Sequence, residues 1–338
     1  MYGLSDHLNP IPLTGLSALL QGSSRYSIRM AAAGIIEQAF VSLKDGISRV
    51  TLPLPTGPRH VHCYVADGTL FDTGLGLGDA PWHDLHVDRI AISHFHPDHV
   101  GGASVASAVT GAPVFQGAVD YAQCDRVWGS RDWPERMAAW FRSHGVPPES
   151  TDELIEQGHA VAPFIRFSRD PELLYEGSEL GGWDVLELPG HADGHLGFVR
   201  HGVLVAGDHL LAKISPAVGL YPESRPDPLG DYLASLQRTI DLDLRIVYPG
   251  HGEPIADPSA RARELIDHHR VRLDETRGAL TDEPQTGYGV SLAVFGAALG
   301  PTQRRFAVAE TLSHLEHLVR RGDARRAEAD GTVTYTGP

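Results

Sequence analysis

The histidine-rich segment AISHFHPDHVGG, residues 91–102, limits what this chain can fold into more than any other stretch. It places three histidines and an aspartate in the six positions from His94 to His99, directly after an apolar run. Neutral imidazole and carboxylate groups are the ligands that hold zinc and similar metals, at about 2.0–2.2 Å from the ion. The segment therefore predicts a metal centre at the end of a buried strand.

The spacing within this segment divides its ligands into two pairs. His94 and His96 alternate along an extended backbone, so both side chains can point the same way. Asp98 and His99 come a turn later and face a different point. We do not expect one ion to take all four, and two ions are the economical interpretation.

Two ions need more ligands than this segment offers, and three later positions lie in a matching context. His191 lies in LPGHADGH, Asp208 in VAGDHL and His251 in YPGHG. Each follows a predicted strand and a glycine, which lets the backbone approach the site closely. A lone loop histidine is usually a surface residue, but this ordered recurrence predicts one shared metal centre.

Length, cysteine content and charge restrict the remaining classes of function. The 338 residues suffice for one large domain and a smaller one. Cys63 and Cys124 cannot form a disulfide framework, so a reducing cytoplasm is the expected location, and no apolar run approaches the roughly 20 residues of a membrane helix. The formal net charge is -15, whereas from Pro258 onward eleven basic and eleven acidic residues balance. The acidic excess before Pro258 disfavours nucleic acid as a partner.

Strand and helix signals divide the chain into three parts. Residues 1–46 are predicted to be an N-terminal leader of uncertain order. Residues 47–257 are predicted to form the main domain, with an aromatic and polar insertion at about 119–176 that could act as a lid or face the substrate. Residues 258–338 are predicted to form a small, mostly helical C-terminal domain.

Local turn and cap signals mark several elements inside these parts. Asp67-Gly68 and His201-Gly202 are predicted to be hairpin turns between apolar strands. Asp257-Pro258 is typical of a helix start, and RRFAVAETLSHLEHLVRRG has helical apolar spacing that ends at Gly322.

Taken together, the motifs resemble the metallo-β-lactamase superfamily. The matching elements span about residues 49–255 and are FDTG with Asp72, HFHPDH, PGH with His191, GDHL with Asp208 and PGHG with His251. The resemblance implies an α/β fold, the αββα sandwich, in which two mixed sheets lie face to face with helices outside. The metals of that family lie at one edge of the sheets.

The resemblance also implies ligand sets and a reaction. One ion would be held by His94, His96 and His191 and the other by Asp98, His99 and His251, with Asp208 bridging the two. Two zinc ions are expected, although histidine and carboxylate ligands also accept iron or manganese. A bridging hydroxide oriented by Asp98 would attack an electrophilic carbonyl or phosphorus.

Residues near the ligands are expected to have supporting roles. Asp72 would accept hydrogen bonds that position the ligand loops, and His195 and His209 would act structurally rather than bind metal. Tyr221 lies on a segment that borders the active site in similar proteins, and we predict that its hydroxyl binds the substrate carbonyl. His62 departs from the branch of the family described next, where asparagine is expected.

The C-terminal segment indicates a branch of the superfamily. YGVSLAVFG followed by RRFAVAETLSHLEHLVRRG resembles the small winged-helix-like domain of the branch that contains beta-lactamase-like protein 2. Members of this branch are similar both to thioesterases that act on acyl carriers and to single-strand endoribonucleases. We expect a hydrolase that cleaves a thioester, lactone or other ester-like bond of a small acyl substrate, with a homo-oligomer left open.

Three alternatives stay open at this point. A single-strand endoribonuclease would use C-terminal arginines such as Arg304 and Arg326, although their balanced charge makes a solvated helix face or a subunit contact the simpler interpretation. A β-lactam hydrolase would need an export signal, and none is evident. A non-catalytic metal-binding regulatory protein would carry the site as a relic, which the seven filled ligand positions disfavour.

Overall fold

The computed structural model describes residues 40–55, 58–76 and 81–338. The predicted leader lies outside the described residues up to position 39. The last part of that range, from position 40, is described. There Phe40–Ser42 forms a strand that pairs with the next strand of the main sheet, with Phe40 opposite Val50. The ordered sheet therefore begins inside the range predicted to be a leader.

The described residues contain a first sheet of seven strands in chain order. The strands are β1 (Phe40–Ser42), β2 (Ser48–Pro53), β3 (His60–Ala66), β4 (Thr69–Phe71), β5 (Arg89–Ile92), β6 (Val114–Gly117) and β7 (Glu172–Leu174). Strands β1 to β4 pair antiparallel, and β4 to β7 pair parallel. Strand β7 lies within the stretch predicted to be an insertion, yet it completes this sheet.

A second sheet has five strands among the described residues, in the order β12-β11-β10-β9-β8. These are β8 (Glu179–Leu180), β9 (Trp183–Glu187), β10 (Leu196–Arg200), β11 (Val203–Gly207) and β12 (Ile246–Pro249). Strands β11 and β12 are parallel, so their carboxyl ends meet at one edge. Both predicted hairpin turns are present, with left-handed φ of 45° at Asp67 and 50° at His201, each followed by a glycine.

Nine α-helices connect and cover the sheets within the described part of the chain. They are α1 (Pro97–Val100), α2 (Ala103–Thr110), α3 (Ala118–Val127), α4 (Trp133–Ser143), α5 (Pro148–Val161), α6 (Pro228–Asp241), α7 (Pro258–Gly278), α8 (Gly287–Phe295) and α9 (Pro301–Arg321). Two short 3₁₀ turns lie at Pro81–Asp84 and Ala162–Phe164. No helix in this part of the chain combines the length and the apolar character needed to cross a bilayer.

The two sheets pack face to face through a layer of aromatic side chains. The ring of Phe71 in the first sheet lies 5.1 Å from that of Trp183 and 5.0 Å from that of Phe198 in the second, measured between centroids. All three side chains are buried, and burying a large apolar side chain contributes roughly 1.5–3 kcal/mol. This layer fixes the two sheets against each other.

Helices cover the outer face of each sheet. Ala103 and Ala106 of α2 pack with Ile90 of β5 on the first sheet. Leu236 of α6 and Leu265 of α7 belong to the buried cluster that covers the second sheet. The order helix, sheet, sheet, helix confirms the αββα architecture expected from the sequence.

The C-terminal part contains α8, α9 and a small third sheet. Asp257 caps α7 by accepting a hydrogen bond from the backbone N of Ala260 at 2.9 Å, and α9 ends where Gly322 adopts a φ of 79°. The third sheet has the order β13 (Gln285–Thr286), β15 (Thr332–Thr336) and β14 (Arg325–Ala329). Strand β14 was not predicted from the sequence, because all five of its residues are exposed and RRAEA has no apolar alternation.

Candidate metal centre

The predicted ligands lie at the carboxyl ends of strands from both sheets. Strand β5 ends at Ile92 and leads directly into the HFHPDH segment, in which Pro97 starts the short helix α1. In the second sheet, His191 follows β9, Asp208 follows β11 and His251 follows β12. The two packed sheets therefore bring side chains more than ninety residues apart to one edge.

Three histidines form what we call the first group: His94, His96 and His191. Nε2 of His94 lies 3.0 Å from Nδ1 of His96, and that Nδ1 lies 2.9 Å from Nε2 of His191. His94 is fully buried and the other two are partly buried. Three ring nitrogens thus converge on one point.

A second group consists of Asp98, His99 and His251. Nε2 of His251 lies 3.2 Å from Oδ2 of Asp98, and Nε2 of His99 lies 3.9 Å from the same oxygen. This group lies on the side of the site nearer to β3, because Nδ1 of His251 donates to the carbonyl oxygen of His60 at 2.7 Å.

Asp208 lies between the two groups. Its Oδ2 is 3.7 Å from Nε2 of His191 in the first group and 3.3 Å from Nε2 of His251 in the second. Its Oδ1 is 3.5 Å from Nε2 of His99, and His94, His99 and Asp208 also satisfy the distances of a ligand group. A carboxylate in this position can contact two ions at once, as the family resemblance implies.

Burial and neighbouring charges shift the histidine pKa values of the two groups in opposite directions. Burial, reinforced by the surrounding imidazoles, holds the pKa of His94 well below its usual range and lowers the pKa of His96 to about 3. Burial also disfavours charge on His251, but the carboxylates of Asp208 and Asp98 outweigh it and raise its pKa to about 10. The first group therefore presents neutral imidazoles, the form that binds a metal, and the second is rich in negative charge.

The donor set fits divalent metal ions. Within the described residues, Nε2 of His99 and Oδ1 of Asp208 are buried without a hydrogen-bond partner. Buried polar atoms are normally hydrogen-bonded, so such orphans at a cluster of imidazoles and carboxylates point to an ion as the missing partner. The other ring nitrogens of His94 and His191 are engaged by Oγ of Ser93 at 2.9 Å and the carbonyl oxygen of Ala217 at 2.7 Å.

Asp72 and His195 lie directly behind the ligands. Asp72 is 3% exposed, and its Oδ2 lies 2.7 Å from Nδ1 of His99. His195 is fully buried, with its ring stacked 4.8 Å from that of His94, and its Nε2 accepts a hydrogen bond from the backbone N of Asp208 at 3.2 Å. Both side chains therefore contact candidate ligands from the side of the protein interior.

Three further residues of the sequence analysis have well-defined surroundings. His209 bonds through Nε2 to Oγ1 of Thr239 at 2.7 Å, away from the ligand groups. His62 is buried beside Oγ1 of Thr51 at 3.1 Å, and its backbone N donates to the carbonyl oxygen of Gly250. Tyr221 packs its ring 6.3 Å from that of Phe141, and burial raises the pKa of its hydroxyl.

Two of the C-terminal arginines, Arg304 and Arg326, are engaged within the chain. Arg304 is buried and donates to the oxygens of Ser291 and to the carbonyl of Gly296, so it joins α9 to the end of α8. For Arg304 the expected solvated helix face or subunit contact is therefore wrong, because helical spacing does not show which side of α9 faces α8. Arg326 pairs with Glu316 at 3.3 Å and with Glu328 at 3.0 Å.

Two residues that were not predicted from the sequence, Ser93 and Trp128, hold the ligand segment in place. Oγ of Ser93 bridges Oδ2 of Asp72 at 2.8 Å and Nδ1 of His94 at 2.9 Å. Nε1 of Trp128 donates to the carbonyl oxygen of Phe95 at 2.8 Å. Ser93 could have been found from the sequence, because it lies between the end of β5 and the ligand His94. The sequence around Trp128 does not indicate that its indole bonds to Phe95.

Comparison with known families gives two matches along the chain. Residues 56–251 match the family described as Metallo-beta-lactamase superfamily. Residues 273–337 match the family described as Metallo-beta-lactamase-like, C-terminal domain. Together the two matches cover both the candidate metal centre and the C-terminal helices.

Individual relatives agree with these matches. The chain is 30% identical to the probable metallo-hydrolase YqjP of Bacillus subtilis, over 81% of this chain and 92% of the relative. It is 30% identical to hydroxyacylglutathione hydrolase GloC of Haemophilus influenzae, over 50% of this chain and 70% of the relative. A beta-lactamase-like protein 2 homolog of Drosophila melanogaster is 25% identical, over 68% of this chain and 63% of the relative.

A solved structure extends the likeness to nearly the whole fold. A metallo-beta-lactamase family protein from Thermus thermophilus superposes with a TM-score of 0.74 at 34% sequence identity. The superposition covers 88% of this chain and 100% of that one.

Proposed function

The chain belongs to the metallo-β-lactamase superfamily of metallo-hydrolases, and on that basis we propose that it cleaves a thioester, lactone or other ester-like bond of a small molecule with two metal ions. One observation carries the proposal. The first and second groups lie side by side, and Asp208 contacts a member of each, at 3.7 Å from His191 and 3.3 Å from His251. Such an arrangement suits two ions that share one carboxylate.

In this proposal the three residues of each group would hold one ion, and Asp208 would be available to both. Zinc is the proposed metal because the first group offers only imidazole nitrogens, which zinc accepts readily. Iron and manganese also bind histidine and carboxylate, so metal analysis has to decide among the three. Divalent ions bound there would supply Lewis acidity, which polarises a carbonyl oxygen and makes water a nucleophile near neutral pH.

The chain's own residues would orient the reactants. Asp98 is the most exposed of the ligand carboxylates, with 23% of its side chain accessible against 10% for Asp208, so it can reach a water molecule that enters from solvent. Its carboxylate would hold that water by accepting a hydrogen bond. Tyr221 would donate a hydrogen bond to the substrate carbonyl, since it lies on the segment 217–221 whose Ala217 carbonyl oxygen is bonded to His191.

The thioester has the best support among the ester-like bonds. GloC is named a hydroxyacylglutathione hydrolase, and hydroxyacylglutathione is a thioester. The endoribonuclease alternative has less support, because Arg326 and Arg321 are paired with acidic side chains in the described structure. The proposed setting is a reducing cytoplasm, where the buried thiols of Cys63 and Cys124 stay reduced.

A turnover screen tests the proposed function. The metal-loaded protein is assayed on an acyl-glutathione, an acyl-CoA, a lactone, a chromogenic β-lactam and single-stranded RNA. We expect hydrolysis of at least one thioester or lactone that stops on chelation and returns with zinc. Turnover of RNA or the β-lactam alone would contradict the proposal, and so would a metal content that stays at one ion per chain.

A further inference from the structure

The two groups of the metal centre share Asp72, which reaches His94 through Ser93, but they differ in their other supports. In the second group, Nδ1 of His99 bonds to Asp72, which follows β4, and Nδ1 of His251 bonds to the carbonyl oxygen of His60 in β3. Both supports belong to the first sheet, which is buried between the other layers. The second group therefore depends on the central sandwich.

The first group is anchored to the C-terminal helix α9 through a loop. Nδ1 of His191 donates to the carbonyl oxygen of Ala217 at 2.7 Å, at the start of the segment 217–221. Three residues later, the backbone N of Leu220 donates to the carbonyl oxygen of Ala309 in α9 at 3.0 Å. The orientation of the His191 ring is thus linked by two hydrogen bonds and four residues to α9.

The segment that carries the other two ligands of the first group is also anchored to the end of α3, in addition to the bond between His94 and Ser93. Phe95 lies between His94 and His96, and its carbonyl oxygen accepts the hydrogen bond from Nε1 of Trp128 at 2.8 Å. This bond fixes the peptide that sets the spacing of the two imidazoles. A ring contact of 4.8 Å between Phe95 and His96 adds to the constraint.

Both anchors pack against one apolar cluster, which we call the accessory cluster. Its buried members come from the insertion helices and the C-terminal helices and include Phe141, Leu154, Val290, Ala309, Leu312 and Leu315. Phe95, Trp128, Leu220 and Tyr221 are partly buried against it. The cluster therefore packs against the two segments that anchor the first group, through Phe95 and Leu220, whereas Asp72 and His60 support the second group from the sheet.

We propose that the accessory cluster positions the first group, so that Trp128 and Ala309 determine the affinity of the ion held by His94, His96 and His191 but not that of the second ion. The insertion and the C-terminal helices then act together as one positioning element. This inference rests on the ligand assignment of the proposed function.

Zinc binding to the metal-free protein, measured by equilibrium dialysis, tests the inference. His191→Ala and His251→Ala first identify which binding step belongs to which group. Trp128→Phe removes the indole N–H but keeps an aromatic ring, and we expect zinc affinity of the first group to fall about tenfold, as when a residue that orients a ligand is lost. Trp140→Phe is the matched control, because Trp140 packs on the same cluster through contacts with Phe141 and His144.

A second pair of variants examines the α9 anchor. A Cβ added at Gly219 would lie 3.0 Å from Cβ of Ala309, so Ala309→Val pushes the 217–221 segment away from α9. Ala307→Val enlarges an equally buried alanine of α9 and serves as control. The free energy of unfolding of each variant is measured in parallel, so that general destabilisation is separated from loss of metal.

The outcomes distinguish the inference from the proposed function. Weaker binding at the first group alone, in Trp128→Phe and Ala309→Val but not in the controls, supports the inference. Unchanged binding, or equal weakening of both groups, overturns it while the ligand assignment stands. If His191→Ala and His251→Ala do not each remove one binding step, the ligand assignment itself is wrong and the inference falls with it.

Discussion

Asp72 joins the first sheet to the second group through His99, with Oδ2 of Asp72 2.7 Å from Nδ1 of His99. The same carboxylate accepts hydrogen bonds from the backbone N of Ser93 at 2.7 Å and from its Oγ at 2.8 Å. Asp72 has a φ of 61°, a left-handed conformation that asparagine also tolerates. The charge of this side chain can therefore be removed without straining the backbone.

Asp72→Asn is expected to weaken metal binding by the second group about 10- to 100-fold. The amide lacks the negative charge that holds the His99 ring, while the backbone conformation is kept. Dialysis against zinc followed by elemental analysis measures the effect. If the variant and the unaltered protein hold equal amounts of zinc at the same low free zinc concentration, Asp72 is not a positioning residue.

Asp98→Asn is expected to lower kcat by at least about 100-fold on any substrate found in the screen. The amide cannot accept a proton from the attacking water, and it is a poor metal ligand. Rates are compared at saturating zinc, so that loss of the ion and loss of the carboxylate are separated. A variant with the full hydrolytic rate would show that the proposed mechanism is wrong.

Gly250→Ala is expected to disrupt the second group sterically. A Cβ at Gly250 would lie 2.5 Å from Oδ1 of Asp208 and 2.6 Å from Cε1 of His99, both closer than atoms normally approach. We expect loss of about one zinc ion per chain after dialysis. Gly278→Ala is the control, because a Cβ there meets no atom within 4 Å and alanine favours the end of α7. Equal zinc contents in the two variants would refute the steric argument.

Tyr221→Phe is expected to lower kcat/KM about five- to tenfold and to leave the zinc content unchanged. The expected loss corresponds to one hydrogen bond to the substrate, worth about 1 kcal/mol. The ring packing against Phe141 is retained in phenylalanine, so stability should change little. Steady-state kinetics and thermal unfolding check both parts, and an unchanged kcat/KM would remove Tyr221 from the substrate contacts.

Glu310→Gln is expected to raise the free energy of unfolding above that of the unaltered protein, and to do so more at pH 8 than at pH 5. The Glu310 side chain is 12% exposed, its nearest cation is Nε of Arg272 at 3.8 Å, and burial raises its pKa to about 7 from 4.5. Because the pKa is higher in the folded state, the contribution of Glu310 to the free energy of unfolding is fully present below about pH 4.5. It is lost as the pH rises through about 7. Tyr221, whose pKa is raised by burial and by the Glu310 carboxylate, and His314, whose Nδ1 donates to the backbone oxygen of Glu310 at 2.7 Å, are further ionisable groups of this region.

The gain in the free energy of unfolding should be about 1–3 kcal/mol at pH 8 and near zero at pH 4.5. Urea unfolding across this range measures it. Glu283→Gln, at an exposed position, is the control and should show no such trend. A gain that does not depend on pH would show that Glu310 is not the titrating group.

The seven candidate ligands could be found from the sequence because the signal is local. HFHPDH, PGH, GDH and PGHG each place a donor next to a strand end and a glycine, and the structure brings all seven donors together. The hairpins at Asp67 and His201 and the helix start at Asp257 were predictable for the same reason, since turn and cap chemistry acts within about four residues. Whether the donors hold two ions stays a prediction.

Other features depend on contacts between distant residues and were outside the reach of sequence patterns. Strands β1 and β7 are only three residues long and complete the first sheet by pairing, so neither shows a clear alternation. The predicted leader and insertion boundaries therefore cut across this sheet.

By itself the sequence determined the donor atoms, the order of the strand ends that carry them and the family to which the chain belongs. Only the tertiary structure decided which groups bond to those donors and to the peptide between them: Ala217 to His191, Asp72 to His99, and Trp128 to the carbonyl oxygen of Phe95. The physical reason is that a ligand's type is a property of its own side chain. Its orientation depends on hydrogen bonds and packing that exist only once the sheets, the insertion and the C-terminal helices are assembled.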